Sequence, residues 1–321
     1  MRNIALLGLG YWGKNILRNL VEMDVLHTAG DTNVQTVERW QQTYPNTRFT
    51  TSVEAILKNP EIVGVVLATP AVTHFEMVQM FLRAGKDVFV EKPLALTIDQ
   101  GESLLALSDV GGRILMVGHI LQYHPAVHAM KHLLRSGVLG TLQYLYSNRL
   151  NIGKLRTEEN ILWSFAPHDI SVMLSLTNEE PVNVQAFGGA YINRDVSDTT
   201  LTTLSFRNNV KGHIFVSWLH PFKEQKLVVV GSKAMAVFDD LSKEKLVLYR
   251  HSIEWQNGTM PVAKPADREI VPVGTEEPLR MELQQFVSSI ASRQSPPTDG
   301  REGLRVLRVL AAADQSLTRN P

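Results

Sequence analysis

An α/β fold in two domains is what the sequence predicts. The first, residues 1–120, is a parallel sheet wrapped by helices; the second, 121–321, is an α+β domain on a large open, mainly antiparallel sheet. Three observations predict it. Short β-branched runs alternate with amphipathic helical stretches up to about residue 118. Beyond residue 140 the texture changes to long strands of alternating polarity. The chain's 321 residues, 44% of them apolar, suffice for two cores.

In chain order, the spacing predicts six strands near 3–7, 25–31, 47–50, 62–68, 87–91 and 114–118. Ile16, Leu17, Leu20 and Val21 form the apolar face of the first helix. Thr73 to Glu76 and Thr97 to Gln100 each read as a capping box opening a helix, and Gly85 closes the first of these. A helix starts at Pro125 with Val127, Met130, Leu133 and Leu134 inward and Gly137 at its end. Strands follow at 142–150, 182–191, 199–206, 212–219, 226–231, 234–239 and 245–249, interrupted by a helix near 168–176. Residues 256–278, rich in Pro, Glu and Gly, read as loop; helices near 278–292 and 301–317 end the chain, the last expected to pack back on the first domain.

Bulk properties narrow the function. Lys plus Arg and Asp plus Glu both number 32, so no net field attracts nucleic acid or an anionic membrane. The absence of cysteine excludes disulfides, iron–sulfur clusters and a thiol nucleophile, and fits a cytoplasmic location. No apolar run approaches the ~18 residues of a membrane span, and Ile4 to Leu7 reads as a first strand and not as a secretory leader. His124, His128 and His132 have helical spacing, yet no carboxylate joins them, so no metal site is expected.

Gly8-Leu9-Gly10-Tyr11-Trp12-Gly13 fits G-x-G-x-x-G in context: it follows a strand, opens a helix, and Asp31 ends the next strand. This is the Rossmann dinucleotide fingerprint. Gly8 permits the turn, Gly10 lets backbone approach a pyrophosphate, and Gly13 lets helix and strand pack; Asp31 accepts ribose hydroxyls and repels a 2′-phosphate. With Thr32 and Asn33 next, no arginine offsets that repulsion, so NAD is the expected cofactor.

Glu91-Lys92-Pro93 ends the fifth strand, where ligands of such sheets bind. Pro93 biases Lys92 to extended backbone and fixes where its ammonium is delivered. In "GKDVFVEKPLALT", preceded by "ATPAVTHFE", this triplet resembles the glucose–fructose oxidoreductase/inositol dehydrogenase (Gfo/Idh/MocA) family along the whole chain. The resemblance implies a catalytic, substrate-binding role for Lys92 and positions lining the cofactor at Thr69, Pro70, His74 and Glu91, with Tyr11 and Trp12 in the glycine loop. It also matches His168, in "NILWSFAPHDISVML", to a catalytic histidine followed by Asp and opening a helix. The family's acid four residues earlier is Ser164 here. That departure leaves open a non-catalytic NAD-bound sensor.

A secondary alcohol needs a hydride acceptor and a base titrating near working pH. His168 meets the second need untuned, with Lys92 as electrostatic partner; the exchanged assignment is the alternative. "GHILQYHP" corresponds to the family loop facing the sugar, making Gln122, Tyr123 and His124 candidate contacts, although His124 is equally placed to cap the next helix. Arg149, Lys154 and Arg156 precede His168, and guanidinium forks suit a diphosphate. "LNIGKLRTEENILWSFAPHDIS" and "HIFVSWLHPFKEQKLVVVG" resemble the family's UDP-N-acetylglucosamine 3-dehydrogenases, which implies a UDP-sugar substrate, a 3-keto product and a partner aminotransferase in lipid A or surface-glycan synthesis. The same match places Trp163, near the cofactor, and Trp218, His220 and Lys226 at the site's border. The alternative substrate is a free sugar or inositol. An uncovered sheet face rich in Val, Leu and Phe predicts homo-oligomers, dimer or tetramer.

Overall fold

The computed structural model describes residues 2–153, 155–157 and 159–319. The chain separates into two compact units: residues 1–120 with 277–307, and 121–276 with 308–321.

The first unit is a six-stranded parallel sheet of β1 (Ile4–Leu7), β2 (Leu26–Gly30), β3 (Arg48–Thr50), β4 (Gly64–Leu67), β5 (Asp87–Glu91) and β6 (Leu115–Gly118), in spatial order β3-β2-β1-β4-β5-β6. β1, β4 and β6 are buried throughout, as strands covered on both faces must be. The connecting helices are α1 (Gly13–Glu22), α2 (Val34–Thr43), α3 (Val53–Lys58), α4 (His74–Arg83) and α5 (Ile98–Gly111). Thr97 caps α5 as its sequence predicts, accepting from the Gln100 amide at 3.3 Å. Thr73 does not cap α4. A 3-10 turn at Ala71–Thr73 runs straight into that helix, Thr73 is already helical, and its hydroxyl donates to Pro70 O and Thr69 Oγ1 at 2.8 Å each.

α8 (Pro278–Ser292) and the first turns of α9 (Gly300–Arg319) complete this unit. Phe286 meets Phe89 edge-on at 5.9 Å, and Arg293 forks onto buried Asp87 at 2.7 and 2.9 Å. The expected boundary at residue 120 is thus crossed again at 277 and at 307.

The second unit is built on an eight-stranded mixed sheet, β7 (Leu142–Leu150), β8 (Asn183–Gly189), β9 (Thr199–Ser205), β10 (Lys211–Ser217), β11 (Glu224–Gly231), β12 (Met235–Asp239), β13 (Leu246–Gln256) and β14 (Met260–Ile270). Its order is β14-β13-β12-β11-β7-β10-β9-β8, with β7 and β10 parallel and every other pair antiparallel. α6 (Pro125–Arg135) and α7 (Ile161–Thr177) pack in this unit, α7 lying against β7, β9 and β10. The opposite face carries Tyr144, Tyr146 and His213, with Leu201 and Phe187 exposed.

Two elements differ from expectation. Residues 260–270, read as loop, form β14, because they pair with an extension of β13 that their own prolines and charges do not announce. α7 begins seven residues before His168: Asn160 caps it by accepting from the Trp163 amide at 3.2 Å, and Pro167 is carried inside the helix. His168 therefore lies within the helix and does not open it. No described helix is long and apolar enough to cross a membrane.

Candidate active site

The glycine loop is set by backbone crowding. Gly8 has φ +96°, and a side chain there would stand 2.4 Å from Ala68 O; one at Gly13 would stand 1.9 Å from Gly8 O. Gly10 has nothing among the described residues within 4 Å of its missing Cβ, so the loop's surface is open where a ligand would approach. Asp31, just past β2, accepts from the Leu9 amide at 2.8 Å and the Asn33 amide at 2.9 Å, one bond per oxygen, which leaves lone pairs for ribose hydroxyls. Trp40, from α2, donates to Leu9 O at 3.2 Å; sequence reasoning missed it because its only signal is helical spacing. Tyr11 is 80% exposed under the Lys14 ammonium, 5.1 Å from the ring centre. These residues fit a dinucleotide: a cradle without side chains, a helix amino terminus and an acid on the neighbouring strand.

Lys92 leaves the carboxyl end of β5, and the Lys92–Pro93 peptide is cis. Glu91 is half-buried; it accepts from Trp12 Nε1 at 2.6 Å and from the Lys92 amide at 3.3 Å. Desolvation pushes its pKa up, against the pull of Trp12, Lys92 and His119. His74 is buried and joins Pro93 O at 2.7 Å and Thr69 O at 3.0 Å, tying the turn after β4 to the turn after β5. At this position, matched to the cofactor's lining, the imidazole also holds the lysine's loop in place. Thr69 and Pro70 form the adjoining turn, Thr69 Oγ1 accepting from Thr73.

Behind this corner, Glu282 on α8 is 0% exposed, and neither of its oxygens has a hydrogen-bond partner among the described residues. Burial, then the charges of Glu91 and Glu302, push its pKa well up, which favours the protonated form. Glu302 on α9 meets His119 Nδ1 at 2.6 Å. Nothing local in the sequence marks this group, which joins residues up to some two hundred apart.

In the second unit, α7 presents Ser164 and His168 one turn apart, on the same side of the helix. Ser164 is buried, His168 and Trp163 half-buried. Asp169, next to His168, receives Arg149 Nε at 2.7 Å and Nη2 at 3.3 Å. The fork offered to a diphosphate is thus occupied by Asp169. Burial opposes the guanidinium charge, but Asp169 and Asp240 outweigh it and raise the arginine's pKa. Arg156 pairs with Glu159 at 2.6 Å on the surface; Lys154 lies outside the described residues.

His124 is the N-cap of α6. Its Nδ1 accepts from the Ala126 amide at 3.1 Å and its Nε2 faces Asp240 at 3.4 Å, an interaction that leads in holding Asp240 below the usual aspartate range. Of the two roles its sequence position allows, capping is the one this geometry fills. Gln122, buried, donates to Ser171 Oγ at 2.7 Å, accepts from Lys131, and receives His128 Nε2 at its carbonyl at 2.6 Å. Tyr123 is buried beside it. Of the helical histidine row, His124 is spent on the cap and His128 reaches the Gln122 carbonyl from an exposed position, while His132 lies on the exposed face of the helix; no three His, Asp or Glu among the described residues are grouped to hold a metal. Trp218 is buried, His220 meets Phe222 O at 2.8 Å, and Lys226 lies 3.7 Å from Asp239.

Comparison with known proteins decides the family. Residues 2–119 match the model of an oxidoreductase family with an NAD-binding Rossmann fold, and 127–237 match the Gfo/Idh/MocA C-terminal domain. The chain belongs to the Gfo/Idh/MocA oxidoreductases. Among its relatives, UDP-N-acetylglucosamine 3-dehydrogenase of Acidithiobacillus ferrooxidans is 27% identical over 80% of this chain and 78% of its own. The scyllo-inositol 2-dehydrogenase (NAD(+)) of Bacillus subtilis is 24% identical over 97% and 93%. The solved structure of the Acidithiobacillus enzyme superposes with a TM-score of 0.86 at 23% identity, covering 99% of this chain and 98% of the other, a likeness of fold. The protein is accordingly an NAD-dependent oxidoreductase.

Proposed function

We propose that the protein oxidises the 3-hydroxyl of a UDP-N-acetylhexosamine, UDP-N-acetylglucosamine foremost, to the 3-keto sugar. The observation that carries the dehydrogenase part is Lys92 at the carboxyl end of β5, in the same unit as a glycine loop shaped for a dinucleotide. The nucleotide-sugar part is supported by the 27% identical relative.

NAD, when bound, supplies the hydride acceptor. Gly8, Gly10 and Gly13 would admit its pyrophosphate at the loop, and Asp31 would hold the adenosine ribose. Thr69, Pro70 and the backbone around Glu91 border the cofactor. His168 takes the hydroxyl proton, and the Lys92 ammonium orients the carbinol and stabilises developing alkoxide charge. In this reading Ser164, one turn before His168, takes the place of the family's acid, and Trp163 and Gln122 would border the site. Arg156, at the surface, is the guanidinium best placed to exchange Glu159 for a phosphate. A cytoplasmic homo-oligomer feeding a 3-aminotransferase completes the reading.

A second reading, oxidation of a free cyclic polyol, is favoured by one observation: Arg149 already spends Nε and Nη2 on the buried Asp169. Purified protein with NAD, offered UDP-N-acetylglucosamine, other UDP-sugars, free hexoses and inositols, separates the two by absorbance of reduced cofactor. Turnover of UDP-hexosamines alone supports the first reading. Turnover of inositols alone establishes the second, and no turnover with any of them removes both.

A further inference from the structure

The glycine fingerprint requires glycines, and its intervening positions are open. Trp12 occupies one of them and does something the fingerprint does not ask for. Its Nε1 donates to Glu91 Oε1 at 2.6 Å, while Glu91 Oε2 accepts the backbone amide of Lys92 at 3.3 Å. Across the β5–β6 ladder Glu91 pairs with Gly118, where an added Cβ would stand 3.0 Å from the carboxyl carbon and Oε2 and 3.1 Å from Oε1. The carboxyl is pressed between an indole donor and a bare strand, and it fits because residue 118 has no side chain. The ionisable groups that act on it are Lys92 on its own segment, His119 after β6 and Glu282 on α8; Glu302 on α9 faces His119 and Glu282 in turn.

We propose that Trp12 is a positioning residue for Lys92 that acts through Glu91, making the phosphate-binding loop and the lysine one hydrogen-bonded assembly. The inference rests on the dehydrogenase reading above and deepens it. An indole N–H aimed at a carboxylate is a charge-assisted bond, short and directional. It fixes the carboxyl's rotamer, and the fixed carboxyl in turn holds the amide from which the lysine side chain springs. A cofactor seated on the amides of the glycine loop therefore steadies the indole and, two hydrogen bonds on, the ammonium. Trp12 also favours the ionised form of Glu91, against the desolvation that raises its pKa, and a negative charge beside an ammonium favours the ammonium.

The test uses the full-length protein and two readouts. One is steady-state turnover. The other needs no sugar: the pH profile of Lys92 acylation by a limiting amine reagent, read by peptide mass spectrometry with and without NAD. Trp12→Phe keeps the ring and loses the donor. It is expected to lower kcat about tenfold with little change in the KM for the sugar, and to move Lys92 acylation to lower pH. Glu91→Gln keeps an acceptor for the indole but removes the charge, and should move the profile further the same way. The double variant should go no further than Glu91→Gln alone, because both act through one bond. Gly118→Ala crowds the carboxyl from the other side, leaves the loop untouched, and should shift the profile in the same direction.

Wild-type kcat and acylation profile in Trp12→Phe, or additive shifts in the double variant, would overturn the proposal. Should Trp12→Phe fail to fold, unchanged profiles in both Glu91→Gln and Gly118→Ala would overturn it equally. A shifted profile without turnover of any sugar or polyol leaves the Trp12 linkage standing and removes the dehydrogenase reading.

Discussion

Two carboxylates flank the residues proposed to do the chemistry, and they are held in opposite ways. Asp169, after His168, is met by a whole guanidinium fork from Arg149. Glu91, before Lys92, is met by an indole N–H and an amide, with Glu282, whose pKa burial pushes well up, behind it. The first arrangement balances charge with charge and fixes a geometry. The second sets hydrogen bonds and the pull of Lys92 and His119 against desolvation, without a guanidinium fork, and leaves the state of charge adjustable. Chemistry beside a cofactor whose ring charge changes during turnover suits the second, and a histidine that must point one way suits the first.

The comparison breaks most visibly at Arg149. Arg149→Leu strands a buried carboxylate and should destabilise the protein by about 3–5 kcal/mol, read as a lowered urea midpoint. Adding Asp169→Leu should recover much of the loss, since an apolar pair can replace a buried ion pair. A single variant as stable as wild type would show that Asp169 is not held by charge.

Glu282 sharpens the other side. Its native pKa lies above the unfolded value of about 4.5, so the native state binds the extra proton. Wild-type stability should then fall as pH rises from there towards the raised value, and Glu282→Gln abolishes that fall. The variant should match or trail wild type near pH 4.5 and overtake it by about 1–3 kcal/mol at alkaline pH, measured by thermal melts across pH. A stability difference independent of pH would mean that Glu282 does not hold a proton in the folded protein.

The smallest effect is at Asn160, whose side chain starts α7. Asn160→Ala should cost about 1 kcal/mol and fray the turn before Ser164, seen as faster amide exchange at Trp163. Unchanged exchange there would place the helix start elsewhere.

These features divide by how far apart their parts lie in the chain. The six strands of the first unit and the glycine loop are legible because each is local: an apolar run, a turn, a period. α7 starts earlier than expected because Asn160, its cap, is one polar residue among several in the sequence, and the helix runs through Pro167. β14 escapes because strand pairing with β13 overrides a Pro- and charge-rich sequence. The Thr73 box fails because the preceding turn is already helical. His168-Asp169 was legible as a pair, but that Asp169 draws in Arg149 is a tertiary fact, as are the Trp12 bond and the burial of Glu282. Motifs name the residues that face a ligand; the residues that hold them in place come from other elements.

The most direct measurement is a single-turnover mixing of enzyme, NAD and UDP-N-acetylglucosamine, followed by absorbance of reduced cofactor, in wild type, Lys92→Ala and His168→Ala. The account predicts reduction in wild type and a loss of about 100-fold or more in each variant, with NAD affinity preserved in both. Reduction at the wild-type rate in either variant would contradict it.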